Sequence, residues 1–188
     1  MIKYYNITDD LNYVLDFDKK YGRDILSTSL KKALTMANIE IIDFSYISNS
    51  QLCMDLSING ENYRFISLLK NITGAGWENK PKIKRVQVSN IKNINYDGLY
   101  ISCKNAFNMI IGYYNYDNNP IFVAWDAYRY LNHNTIRSCY VTVDSLRVGY
   151  IKRYYEGVDS AQKIWIFDAE HIKDFMISYT KYVNERYV

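Results

Sequence analysis

The chain is 188 residues long, enough for one large domain with a sizeable core or two small intimate ones. Its 48% hydrophobic and 23% charged residues are those of an ordinary folded protein rather than a disordered one. A net charge of +3 is too mild for a whole-molecule field to steer a polyanion, so any nucleic-acid contact has to come from local clustering.

The opening hexapeptide Met1-Ile2-Lys3-Tyr4-Tyr5-Asn6 lacks the apolar run of a secretory signal. No stretch reaches the roughly 18 apolar residues of a membrane span, so a cytoplasmic protein is expected. Residues 1–20 mix aromatic and acidic side chains and read as a short helix after Thr8-Asp9-Asp10. Asp24 then precedes Ile25, Leu26, Leu30, Ala33, Leu34 and Ala37, an apolar stripe at helical period over Asp24 to Asn38. From Ile39 the period becomes that of strands. Ile41 to Ile47 and Gln51 to Ile58 flank Ser48-Asn49-Ser50, and Tyr63 to Leu69 follows Asn59-Gly60, a strong hairpin signal between alternating apolar runs. Ile83 to Val88 is the next strand, and Leu99 to Cys103 and Phe107 to Tyr113 follow Asp97-Gly98. Asp117-Asn118-Asn119-Pro120 turns the chain into Ile121 to Trp125, a buried strand. A polar loop with Asn132, His133 and Asn134 leads to Ser138 to Val143, then to a helix over Leu146 to Arg153 capped by Asp144 or Ser145. Ile164 to Phe167 reads as a last strand and Glu170 to Tyr182 as a C-terminal helix.

Three or four helices around seven or eight mostly consecutive strands predict an α+β fold. Its sheet should be curved and mostly antiparallel, or a pseudobarrel, with flanking helices. No repeat or linker divides the chain, so residues 1–188 are expected to form a single domain. Cys53, Cys103 and Cys139 are too far apart in sequence for a zinc or disulfide pattern and read as reduced core thiols. The 20 tyrosines are also what an AT-rich coding sequence produces, so their number alone does not argue a binding surface.

The segment from Gly74 to Val88 stands apart. Gly74-Ala75-Gly76 is a hinge carrying Trp77, and four cations, Lys80, Lys82, Lys84 and Arg85, fall within six residues. Each part suits a nucleic acid: charge for phosphates, a ring for bases, amides for base edges. On an extended segment Lys80, Lys82 and Lys84 share one face, matched to a phosphate run, while Arg85 and Gln87 share the other. Asn79 and Gln87 are the types that read adenine edges, and Arg85 the type that reads guanine. Trp77 could stack on a base or wedge into a step. Alternating lysines also blunt an exposed edge strand, and the nucleic-acid reading requires the ladder to project outward.

These residues also carry a resemblance. Tyr63-Arg64-Phe65, Gly74-Ala75-Gly76-Trp77, Lys84-Arg85-Val86-Gln87-Val88, Met109-Ile110-Ile111-Gly112-Tyr113, Pro120 to Asp126 and Arg137-Ser138-Cys139-Tyr140-Val141 resemble the DNA-recognition regions of bacterial restriction proteins. The likeness is to LlaJI and McrB-type target-recognition domains, several of which have a pseudobarrel similar to the EcoRII effector-binding domain. It covers Tyr63 to the C-terminus. It implies duplex DNA as partner, target-site or modified-base reading within a restriction or phage-defence system, and a separate nuclease or motor subunit. It places residues from Trp77 to Arg85 and Gln87 at the DNA, with Arg137 and Ser138. Similar sequences show glycine-arginine where this chain has Gly76-Trp77, so that arginine's contact is missing here. No metal or cofactor is required.

Two other readings compete. A small Mg²⁺-dependent endonuclease would need two carboxylates and a lysine, which Glu78-Asn79-Lys80 with Asp55 or Asp43, or Asp18-Lys19-Lys20, could supply. A protein-interaction module would use a tyrosine-rich face, with Tyr113, Tyr114 and Tyr116 lining a groove. Trp125-Asp126 offers a ring and a carboxylate for an extruded base, although a tryptophan at a strand end also reads as core, as does Trp165. His133 and His171 have no partner motif and read as surface or capping residues.

Overall fold

Asn59 and Gly60 both adopt positive φ, +56° and +83°, the turn that matches strand twist, and they fix the first long hairpin of the sheet. The computed structural model describes residues 2–88, 106–130 and 137–187. In chain order these form β1 (Tyr4–Ile7), β2 (Tyr13–Asp16), α1 (Arg23–Met36), β3 (Glu40–Tyr46), β4 (Gln51–Ile58), β5 (Glu61–Asn71), β6 (Thr73–Gly74) and β7 (Ile83–Val88). Then come β8 (Ala106–Tyr114), β9 (Ile121–Asp126), a 3₁₀ turn (Ala127–Arg129), β10 (Arg137–Thr142), α2 (Val143–Lys152), β11 (Tyr154–Asp159), β12 (Gln162–Phe167) and α3 (Ile172–Tyr187).

A seven-stranded sheet runs β11-β12-β9-β8-β5-β4-β3. All its pairs are antiparallel except β5 with β8, which are parallel. This α+β arrangement agrees with the fold class expected from sequence. One face of the sheet carries α1 and α3. Leu26, Leu30 and Leu34 from one helix and Phe175, Tyr179 and Val183 from the other pack with Met54, Phe65, Met109, Ile111 and Trp165. The opposite face carries a second sheet, β10-β7-β6, with α2. There Val86, Val88, Cys139, Val141 and Leu146 meet Ile110, Val123 and Trp125. Strand β9 is buried along its whole length because both of its faces are covered, which explains its unbroken apolar run.

Three local expectations are corrected. Residues 4–16 form a hairpin, not a helix. Tyr4, Tyr5 and Ile7 face Tyr13 to Asp16 across a turn in which the Thr8 amide donates to Asn12 C=O at 3.0 Å and Leu11 sits at φ +61°. Aromatic and β-branched side chains in short runs outweigh the acidic cap signal there. Helix α2 is capped by Thr142, whose hydroxyl accepts from the Ser145 amide at 3.2 Å, rather than by Asp144 or Ser145. Strand β11 went unforeseen because its turn into β12 uses Ser160 and Ala161 at φ +50° and +59°, with no glycine or asparagine to announce it. The strand expected over residues 99–103 and the loop over 132–134, with Cys103 and His133, lie outside the described residues. Among the described residues no helix is long and apolar enough to cross a membrane.

Candidate nucleic-acid interface

Strand β7 alternates as the sequence requires, but with the opposite sense for its lysine. Lys84, Val86 and Val88 point into the core, while Arg85 and Gln87 point outward. Lys84 is fully buried. Its ammonium bonds the Asp18 carboxylate and, at 2.8 Å, Asn6 Oδ1, between the rings of Tyr4 and Tyr114 at 5.6 and 5.7 Å. Burial pulls its pKa down, partly offset by Asp18. The expected phosphate contact of Lys84 is therefore corrected: it is a core cation neutralised by a carboxylate. Lys82 is exposed yet paired with Asp144 at 3.2 Å, and it lies beside the Tyr13 ring at 4.8 Å. The outward ladder of three lysines does not exist. Lys80 alone of the three has no ion pair among the described residues, and it rests 5.3 Å from the centre of the Trp77 ring.

The loop carrying Trp77 is tied down from behind. The Gly74 amide donates to Asp18 at 2.6 Å and the Gly76 amide to the Tyr4 hydroxyl at 2.9 Å. A Cβ at Gly74 would overlap the Tyr4 ring, and Gly76 holds φ +87°, so both glycines are needed for this path. Pro81 C=O accepts from the Tyr5 amide at 3.0 Å, and Lys82 C=O from Val143 at 2.9 Å. Glu78 and Asn79 stand exposed at the tip.

Trp77, 39% exposed, stacks on Tyr140 with centroids 5.3 Å apart and planes 24° from parallel. Tyr140 lies opposite Arg85, and Ser138 opposite Gln87, in the β7–β10 register, so period-two alternation puts all four on one face. Beside them opens a depression of about 450 Å³ lined by Arg85, Arg129, Arg137, Ser138, Tyr140 and Gln162, with Tyr130. Among the described residues no carboxylate lies within ion-pair distance of any of the three arginines. Arg129 is anchored by one bond, 3.1 Å to Ala161 C=O. Gln162 forms the floor: its amide oxygen accepts from the Tyr140 N–H at 3.0 Å and its NH₂ donates to the Tyr130 hydroxyl at 2.9 Å. Burial and the Cys139 thiol push the Tyr130 phenol well above its usual range. Burial likewise raises Cys139 to about 12, which leaves an inert thiol.

Of the residues expected at DNA, the structure thus gathers Trp77, Arg85, Gln87 and Ser138 on one face, with Arg137 at the depression beside it and Asn79 and Lys80 at the loop tip, and it removes Lys84. Arg129, Tyr140 and Gln162 were missed. Tyr140 was legible as the period-two neighbour of Ser138, whereas Arg129 and Gln162 arrive through tertiary folding alone.

The other candidates fall into the interior. Trp125 is 1% exposed and donates to Tyr140 C=O at 3.1 Å. Asp126, 1% exposed, accepts from the Tyr128 amide and from the hydroxyls of Tyr182 and Tyr187, so this pair faces no base. Tyr113 and Tyr114 are buried, and Tyr116 bonds Asp16 at 2.7 Å. Both carboxylate oxygens of Asp55 are held by Arg64 at 2.6 Å, and Asp18 is taken by Lys84 and Gly74. Among the described residues no three His, Cys, Asp or Glu side chains group as metal ligands. His171 lies 2.7 Å from Asp168 at the start of α3, a capping arrangement.

The family model described as Methylase-associated X1 matches residues 63–176, which takes in the whole of this face. No curated protein and no solved structure matches the chain.

Proposed function

The chain belongs to the Methylase-associated X1 family, a domain linked to restriction–modification systems, and we propose that within such a system it recognises duplex DNA. The reading is of a single, cytoplasmic DNA-recognition domain without catalytic residues of its own, working beside a methylase, nuclease or motor subunit. One observation carries it: Trp77, Arg85, Gln87, Arg137 and Ser138, from three separate stretches of sequence, converge on an exposed face and the depression beside it, and among the described residues the arginines there have no carboxylate within ion-pair distance. Arg85, Arg137, Arg129 and Lys80 meet phosphates or guanine edges, Gln87, Asn79 and Ser138 meet base edges, and Trp77 stacks or wedges. Lys84 and Lys82 take no part; the first is structural and the second is already paired.

Electrophoretic and fluorescence titrations test this. The other two tryptophans, Trp125 and Trp165, are at most 1% exposed, so a change in tryptophan emission on adding DNA reports Trp77 and should vanish in Trp77→Phe. Arg85→Ala and Arg137→Ala should each weaken binding by about 1–3 kcal/mol, and a lost phosphate contact should flatten the salt slope by about one. A panel of plain and modified duplexes then asks whether a modification is read. Unchanged affinity and salt slope in the Arg85→Ala/Arg137→Ala double variant would overturn the assignment.

A further inference from the structure

The depression beside Trp77 has a charge pattern that a duplex backbone does not call for. A duplex offers a line of singly charged diesters spread along its surface. Here three guanidinium groups, Arg85, Arg129 and Arg137, border one concavity of about 450 Å³. Each can fork onto two oxygens. A phosphate monoester carries close to two charges and three strong acceptor oxygens, which fits three forks better than a diester does. The concavity is also about the size of one nucleotide, at the low end of small-molecule sites, and its rim bears the stacked Tyr140–Trp77 pair, a platform for one base.

The frame around it is fixed. The side chain of Gln162 is spent on Tyr140 and Tyr130 and so shapes the floor. The 3₁₀ turn that delivers Arg129 is capped by Asp126, whose other oxygen receives the hydroxyls of Tyr182 and Tyr187 from α3 at 3.1 and 2.6 Å. The three cations therefore border the concavity from two paired strands and a capped turn, and among the described residues no carboxylate lies within ion-pair distance of them.

Resting on the reading of this face as a nucleic-acid surface, we propose that the concavity is a binding site for a nucleotide bearing a terminal phosphate. The phosphate sits among Arg85, Arg129 and Arg137, and the base lies against Tyr140 and Trp77. The same chemistry is offered by the phosphorylated end of a strand and by a free nucleoside monophosphate.

The test compares a short single-stranded DNA carrying a 5′-phosphate or a 3′-phosphate with the same strand ending in hydroxyls, by fluorescence anisotropy. A nucleoside monophosphate and inorganic phosphate serve as competitors. The expected result is a preference of about tenfold or more for a phosphorylated end, the size of one to two charge-assisted hydrogen bonds. Arg129→Gln and Arg137→Gln, both exposed and checked by thermal unfolding, should abolish it. Arg137→Lys, which keeps the charge and loses the fork, should retain only part of it. Competition by the mononucleotide at concentrations near its own Kd assigns the site to free nucleotides; competition only by phosphorylated strands assigns it to ends. Equal affinity for phosphorylated and hydroxyl strands, with no competition by mononucleotide, overturns the proposal, and does so even where duplex binding persists. Mononucleotide binding without any duplex binding upholds it and rejects the duplex reading.

Discussion

Lys84 shows how one residue can change sides between sequence and structure. Its spacing groups it with Lys80 and Lys82, yet it alternates equally well with Val86 and Val88, and it is the apolar pair that decides which face turns inward. Its burial is tolerable because Asp18 and Asn6 satisfy the ammonium. Removing Asp18 should therefore hurt more than removing the lysine. Asp18→Ala leaves a buried, uncompensated cation and should cost about 3–5 kcal/mol in urea unfolding. Lys84→Met should cost less, since Asp18 keeps its bond from Gly74. The sign with pH follows from the lowered lysine pKa. A base whose folded pKa lies below its unfolded value of 10.5 binds fewer protons when folded, so stability rises with pH through that window. Without Asp18 the depression deepens, and the deficit of Asp18→Ala should shrink as pH rises toward 10.5; a constant deficit would count against a buried charged lysine.

Among the elements, the ones with strong local signals were legible: the stripe of α1, the Asn59-Gly60 hairpin and the apolar run of β9. The hairpin β1–β2 and strand β11 were not, because an acidic cap signal masks the first and a turn through Ser160 and Ala161, without glycine or asparagine, hides the second. β11 is held at its start by Arg153, at φ +63°, which bonds Asp168 at 2.6 Å and Glu170 at 3.0 Å. Asp168 in turn caps the approach to α3 through the amides of Glu170 and His171. Burial works to raise the Asp168 carboxyl, but hydrogen bonds from His171 and Arg153 outweigh it and hold it below the usual value. Asp168→Ala should lower stability by about 1 kcal/mol, as for a lost cap, or ~2–4 °C in Tm. Since a lowered carboxyl stabilises above its unfolded pKa of 3.8 and stops doing so as pH falls through the folded value, wild type and variant should converge only below that pH. Convergence near neutrality would point to some other cause.

At the scale of the whole molecule, the family match and the fold do not share boundaries. Residue 63 falls inside β5 and residue 176 inside α3. Strand β4, upstream of the match, pairs with β5 from Gln51↔Leu68 to Ile58↔Glu61 and buries Leu52, Met54 and Leu56 completely. A chain beginning at Tyr63 should lose that partner and expose an apolar edge. It is expected to aggregate on size exclusion and to lack near-ultraviolet dichroism, whereas a monodisperse, DNA-binding fragment would show that the first 62 residues are dispensable. They are also absent from the proposed interface, yet they shape it. Because the Gly74 and Gly76 amides end on Asp18 and Tyr4, their protons should trade with solvent only when the opening hairpin lifts away. On the proposed reading, the tryptophan would meet an incoming strand at a height already set, and the stiffness of the reading head would be inherited from a segment outside the interface.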